Sequence, residues 1–536
     1  MTVAEVDAVV VGAGPNGLVA ANMLAEAGWD VLVLEAAGSP GGAVRSAELT
    51  APGFISDVCS AFYPLGAASP VLARLELDRW GLVWRHAPAP LAHVLPDGRH
   101  VLLARDVDET AASLAAFAAA DADAWRTEFE AWQRIKPALL GALLGPFPPV
   151  RSAAGLLRRL GAGDALRFAR FGTLPVRRYA TERFAGEGAR LLLAGNALHT
   201  DLGPDQSGSA IFGWLLAMLA QDVGFPVPAG GAGALAVALV RRLAAYGGQV
   251  ECGRPVSRVL IAGGQAVGVA DAGGNLVRAR RAVLADVPAP ALFGDLVGAP
   301  NLPPKFVDDL SRFQWDSGTV KVDWALSAPI PWRAPEVGRA GTVHLDCDLD
   351  GLTRFAADLA CGAVPADPFL LLGQMTTADP SRSPAGTESV WAYTHIPHAL
   401  ATDPDPGLVA DQVTGVVKRM ERVIERHAPG FADLVVGRHV LSPADLHEHN
   451  PSLVGGALNA GTAAIHQQLV FRPATGLGRA DTPIDRLFLA GASAHPGGGV
   501  HGACGANAAA AALARNGWAG GGYAAAVRGA HRLLYG

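Results

Sequence analysis

The sequence predicts an α/β fold, a Rossmann-like nucleotide-binding domain completed by a second α+β substrate domain and a helical insert. Three stretches carry the prediction. Near the N-terminus a β-branched run, "VDAVVV", enters "GAGPNG", an amphipathic segment from Leu18 to Ala27, and a second strand, "VLVLE", that ends at Glu35. Midway, "QVECGRPVSRVLIAGGQAVGVADAGGNLVRARRAVLAD" alternates apolar and polar residues between glycine turns, as antiparallel strands do. Close to the C-terminus, "LFLAGASAHPGGGVHGACG" sets glycines and a proline between a strand and an alanine-rich helix, "ANAAAAALA". Glycine costs a helix interior about 1 kcal/mol relative to alanine, so this cluster suits a close approach of backbone to something else.

The first stretch is strand, glycine turn, helix and strand within about 30 residues, the context a dinucleotide site requires. Gly12 permits the tight turn, Gly14 lets a pyrophosphate reach the backbone at the helix N-terminus, and Gly17 brings helix and strand together. Glu35 stands where a carboxylate accepts hydrogen bonds from ribose hydroxyls, and Pro15, Asn16 and Ala36 flank these positions as further candidate contacts. Gly41 and Gly42 follow shortly after and resemble the glycine pair behind the ribose-binding acid in FAD enzymes of the amine oxidase and phytoene desaturase kind. Where many of those carry arginine directly after the pair this chain has Ala43, and the resemblance implies Arg45 as the phosphate contact, with an ordinary glycine turn as the alternative. A second glycine run, "GGAGALAVAL", follows the proline-broken loop "FPVPAG" and not a strand. It reads as the entrance to a helix from Leu235 to Ala245, so NAD(P)H is not expected as the working partner.

Residues 88–227 are rich in Ala, Leu and Arg at helical spacing, cut by "GPFPPV" and "GTLPV", and read as a helical insert. From 302 to 471 the pattern is mixed: strand-like "TVKVDWAL", "GTVHL" and "FLLLGQMTT" precede a helix from Leu408 to His427. The expected organisation is a discontinuous nucleotide-binding domain of residues 1–87, 228–301 and 472–536, with 88–227 and 302–471 forming the substrate domain. A length of 536 residues exceeds what one core supports. A net charge of −6 leaves no basic footprint for nucleic acid. Five cysteines without a CxxC pair point to neither zinc nor a disulfide framework. No signal peptide or membrane-length apolar run is evident, so a cytoplasmic protein is expected, with peripheral membrane contact and oligomeric state left open.

On "VVVGAGPNGLVAANMLAEAG", "PGGAVRS", "PGFISDVCSAFYPL", "WAYTHIP", "NPSLVGGALNAG" and "LFLAGASAHPGGGVHGACG" the chain resembles the phytoene desaturase-related FAD-dependent oxidoreductases, in particular the group around pyridine nucleotide-disulphide oxidoreductase domain-containing protein 2. The resemblance implies the two-domain flavoprotein fold of the amine oxidase and phytoene desaturase type, with FAD as cofactor. It also implies a backbone contact of Val256 with adenine, and a C-terminal motif that closes the flavin site through Gly491, Ala492, Gly499 and Val500. A helix starting near Val500 would aim its amides at the ring.

Catalytic candidates are His495 and His501, which flank the glycine loop, and Tyr63 in "SAFYP", each with a structural role as the alternative. His199 and His466 are weaker candidates of the same kind, and Cys504 is near enough in sequence for a flavin attachment to be considered. No GxSxG elbow is present, which disfavours a serine hydrolase. The implied function is an FAD-dependent desaturase or dehydrogenase acting on a small hydrophobic, isoprenoid or polyene substrate, with oxygen or a quinone as acceptor. Amine oxidation is the chemical alternative. A non-catalytic lipid-binding protein like the GDP dissociation inhibitors is the alternative of another class.

Overall fold

The computed structural model describes residues 3–476 and 478–536. Strand Val3–Val11 lies between Val31–Leu34 and Leu276–Ala285, parallel to both. Helix Pro15–Glu26 makes the crossover. Alternation along the strand sends Ala8 and Val10 into one buried cluster and Val9 and Val11 into another, so the sheet is covered on both faces, as a parallel sheet must be. Strands Gln249–Glu251 and Leu487–Leu489 extend this parallel region, and the antiparallel pair Val256–Ala262 and Gln265–Asp271 completes seven strands.

Register sets which strand ends coincide. Val11 pairs with Leu34 on one side and Ala285 on the other, and Ala285 pairs with Leu489. The residues that leave these carboxyl ends, Gly12, Glu35, Asp286 and Gly491, are therefore brought to one edge. That edge is where α/β sheets bind ligands.

The second sheet has the order Val435–Leu441, Gly318–Leu326, Glu388–Ile396, Leu370–Gln374, Ala340–Leu345, Ala89–Val94 and His100–Leu103. Its two faces differ. The row Ala92, Val343, Leu372, Ala392 and Val322 packs under helix Pro406–His427, whose Val409, Val413, Val416 and Met420 recur at helical spacing. On the opposite face, one row carries His93, His344, Leu371, Tyr393 and Lys321 in place of a hydrocarbon surface.

Two of these strands, Ala89–Val94 and His100–Leu103, correct the purely helical reading of 88–227. All six residues of "APLAHV" are buried, so no alternation marks them as a strand. The rest of that region is helical, from Val107–Ala115 to Ser209–Asp222. It is held by Trp125, Trp132 and Trp214, and by a buried Glu128 that accepts hydrogen bonds from Tyr179 Oη (2.7 Å) and Trp214 Nε1 (3.0 Å).

Candidate active site

A cavity of about 580 Å³ runs from the strand ends of the first sheet to the polar face of the second. At the first end Gly12 has φ +94°, and a Cβ there would lie 2.7 Å from the Asp286 carbonyl oxygen. Gly42, at φ +53°, passes so close to the first loop that a Cβ would meet Gly14 Cα at 3.1 Å. Glu35 is tied at both oxygens, Oε2 accepting from Ala13 N (2.7 Å) and Oε1 from Ala37 N (2.8 Å). Arg45 donates to the carbonyls of Gly42 and His449 across the loop. Gly12, Gly14, Pro15, Asn16, Glu35, Ala36, Gly42, Arg45, Val256, Gly491, Ala492, Gly499 and Val500 all line this cavity.

Two of the glycines act from behind the wall. Gly17 donates its amide to Asp286 Oδ2 (2.8 Å), and Gly41 donates to the Ala13 carbonyl (2.9 Å), fastening one loop to the other. The donor set suits FAD. Asn16 Oδ1 is buried in the wall without a hydrogen-bond partner among the described residues, and the glycine backbone leaves room for a diphosphate at the N-terminus of helix Pro15–Glu26.

The structure places both catalytic histidine candidates, His495 and His501, outside the lining of the main cavity. His495 faces a separate cavity of about 210 Å³, packed edge-on against Phe147 with ring centres 5.9 Å apart, and burial pushes its pKa down to about 4. His501 is 2% exposed and lies outside the lining of the main cavity, its Nδ1 accepting the Ala503 amide at 3.0 Å. It caps a helix that begins at Ala503, not near Val500. The first amide of that helix is thus taken by His501, and the bent backbone of Gly498, Gly499 and Val500, with Gly499 at φ +103°, faces the cavity instead.

Tyr63 does line the cavity, but its hydroxyl donates to the Ser60 carbonyl (2.7 Å) and burial raises its pKa far above the ordinary range, so it serves as wall. His199 lines the cavity as well, its Nε2 2.8 Å from His344 Nε2, with burial pushing its pKa down to about 3. His466 binds Gln314 away from the site. Cys504 lies outside the cavity lining against the carbonyls of Ala494 and Gly497, its thiol pushed up to about 12 by burial.

Sequence reasoning missed the residues supplied by long-range pairing. Asp286 follows a strand end just as Gly12 and Glu35 do, and burial, with the nearby Glu35 charge adding, raises its pKa to about 7 against the opposing Gly17 hydrogen bond. Trp391, Tyr393 and His395 stand at alternate positions of Glu388–Ile396 and so share the cavity face, a pattern already visible in "WAYTHIP". Gly373 beside them leaves the space that the Trp391 indole fills on its way to Met375 Sδ (3.0 Å). Asp201, itself left-handed at φ +62° where Leu198–Thr200 ends, places Oδ1 3.0 Å from His395 Nε2. Arg472, 1% exposed, fastens the cavity's far loops by donating to the carbonyls of Asn459, Thr462 and Ala492 (3.1, 2.9 and 2.9 Å).

Comparison with known proteins agrees with this geometry. Residues 16–514 match the family model described as flavin containing amine oxidoreductase. The chain is 31% identical to pyridine nucleotide-disulfide oxidoreductase domain-containing protein 2 of Rattus norvegicus, over 94% of this chain and 93% of that protein. It is 25% identical to the neurosporene-forming phytoene desaturase of Cereibacter sphaeroides, over 95% and 94% of the two chains. An oxidoreductase from Methanosarcina mazei shares the fold with a TM-score of 0.61 at 15% identity, covering 94% of this chain and 99% of its own.

Proposed function

Given that the chain belongs to the flavin containing amine oxidoreductase family and is an FAD-dependent oxidoreductase of the kind that includes the phytoene desaturases, we propose that it acts as a desaturase or dehydrogenase on a hydrophobic substrate of isoprenoid or polyene type, with oxygen or a quinone as acceptor. The observation that carries this reading is the wall of the cavity beyond the glycine loops, where Phe62, Leu216, Phe225, Leu371 and Trp391 meet. When bound, FAD supplies the two-electron oxidant. The chain's own residues position it and keep water out. Glu35 and Asn16 Oδ1 would hold the nucleotide half, Arg45 the diphosphate, and the backbone from Gly498 to Val500 the ring. The aromatic wall holds the apolar substrate on the side opposite the nucleotide, where burying each apolar side chain of ligand is worth about 1.5–3 kcal/mol.

A hydrophobic substrate also places peripheral membrane contact within the proposal. Among the described residues no helix is long and apolar enough to cross a membrane. The test is anaerobic mixing of the holoprotein with a panel of isoprenoids and a panel of simple amines, followed by the flavin spectrum. Bleaching by isoprenoids is expected; bleaching by amines alone would overturn the reading. Reoxidation by oxygen against a soluble quinone then identifies the acceptor.

A further inference from the structure

The polar face of the second sheet makes one end of an otherwise apolar pocket chemically specific. Asp201 contributes a carboxylate whose side chain is 9% exposed. Its Oδ2 accepts the Ser317 amide (2.8 Å), while Oδ1 lies 3.0 Å from His395 Nε2 without hydrogen-bond alignment and has no hydrogen-bond partner among the described residues. Thr342, 1% exposed, also lines the cavity, and its Oγ1 is likewise buried without a hydrogen-bond partner among the described residues. On the same face of the sheet stands Tyr393, whose hydroxyl makes no hydrogen bond among the described residues. Burying an acceptor unpaired costs about 1–3 kcal/mol, so the Asp201 carboxylate, with the cavity-facing Tyr393 hydroxyl, is complementary to a ligand atom that both donates and accepts, while Thr342 offers a further polar contact along the same wall.

We propose, on the footing of the function given above, that the substrate carries a hydroxyl group on its apolar skeleton, and that Asp201 and His395 receive the proton of that hydroxyl as its carbon is oxidised. A hydroxyl donates its hydrogen to Asp201 Oδ1 and offers a lone pair to the Tyr393 hydroxyl hydrogen. An ammonium can donate to both oxygens but has no lone pair for that hydrogen, and a hydrocarbon satisfies neither group.

The reaction balances with the oxidant the family supplies. The O–H bond breaks and its proton passes to the Asp201–His395 pair; the C–H bond on the same carbon breaks and its electron pair, with the hydrogen, passes to FAD; a C=O bond forms. The alcohol is oxidised and the flavin reduced by two electrons. Asp316, His199 and Tyr393 face the same pair, and Asp316 is itself held protonated more readily by burial and by the Asp201 charge. The extra proton therefore enters a region where neutral forms are already favoured.

The experiment pairs each of a series of terpenoid and steroid alcohols with its deoxy parent. Binding is read from quenching of tryptophan emission in wild type and in Asp201→Asn, in both the flavin-loaded and flavin-free protein, and bleaching is read separately. The side-chain amide introduced by Asp201→Asn keeps an oxygen to accept the Ser317 amide, so the variant changes charge and not shape; Thr342→Val serves as the second variant. The expected result is at least one alcohol bound ten-fold or more tightly than its parent, bleaching by that alcohol only, and loss of the preference in Asp201→Asn. Deoxy parents that bind and bleach as well as the alcohols, or a preference that survives in both variants, would overturn the hydroxyl assignment and leave the proposed function standing. Bleaching by neither series would overturn both.

Discussion

Asp286 gives the most direct test of the cavity's electrostatics. Its carboxyl is raised from 3.8 to about 7 mainly by burial. An acid raised in the folded state holds its proton better folded than unfolded. Its contribution to stability is therefore complete below about 3.8 and is lost as the pH climbs through about 7. The full span corresponds to on the order of 4 kcal/mol, an upper bound because the side chain touches the solvent that enters the cavity. Within the window each pH unit costs about 1.4 kcal/mol at most.

Asp286→Asn keeps an oxygen for the Gly17 amide and removes the titration. Between pH 5 and 7 the flavin-free wild type should lose roughly 2 kcal/mol more than the variant. Urea unfolding midpoints at pH 5, 6, 7 and 8 for both proteins measure this. Parallel pH profiles would show that Asp286 is ionised like a surface carboxylate, and the packing of the glycine loop against a neutral acid would then be wrong.

Other substitutions probe the nucleotide end and the loops around it. Glu35→Ala removes the carboxylate that holds the Ala13 and Ala37 amides and would accept the ribose hydroxyls; at roughly 1.5–3 kcal/mol for a charge-assisted bond to the ligand, FAD should bind at least ten-fold more weakly in a fluorescence titration. Full flavin retention through dialysis would count against that role. Arg472→Met leaves several buried carbonyls unpaired and should cost about 3 kcal/mol by chemical denaturation, together with faster flavin loss. An unchanged midpoint would mean that water replaces the guanidinium. NADH and NADPH should fail to bleach the flavin anaerobically, because the helix at Gly233–Ala245 is used in packing against the first crossover helix and not as a second nucleotide cradle. Gly502→Asp is expected to destabilise the protein through a clash, since a Cβ there meets Val19 Cγ2 at 2.9 Å; normal stability with a lowered flavin potential would restore a ring-facing role for that helix.

Much of the nucleotide half was legible in the chain alone because its signals are local. A glycine turn, a helix and a strand end are each written in a few consecutive residues, and Gly12, Gly14 and Glu35 could be placed from spacing, Gly42 from the resemblance of its glycine pair. The C-terminal loop was legible as a close approach of backbone but not in its orientation. Glycine-rich segments have no period, so nothing in "AHPGGGVHG" tells which side of the loop His495 and His501 take, or that the helix waits until Ala503. The substrate end was the least readable. Asp201, Thr342 and His395 come from three separate elements and become one surface only when antiparallel register aligns Thr342, Gly373 and Trp391 across the sheet. Each alone is an ordinary polar residue in a strand or turn. Strand pairing over hundreds of residues, and not local propensity, decides which of them are buried together without partners, and that shared burial is what gives the cavity its chemistry.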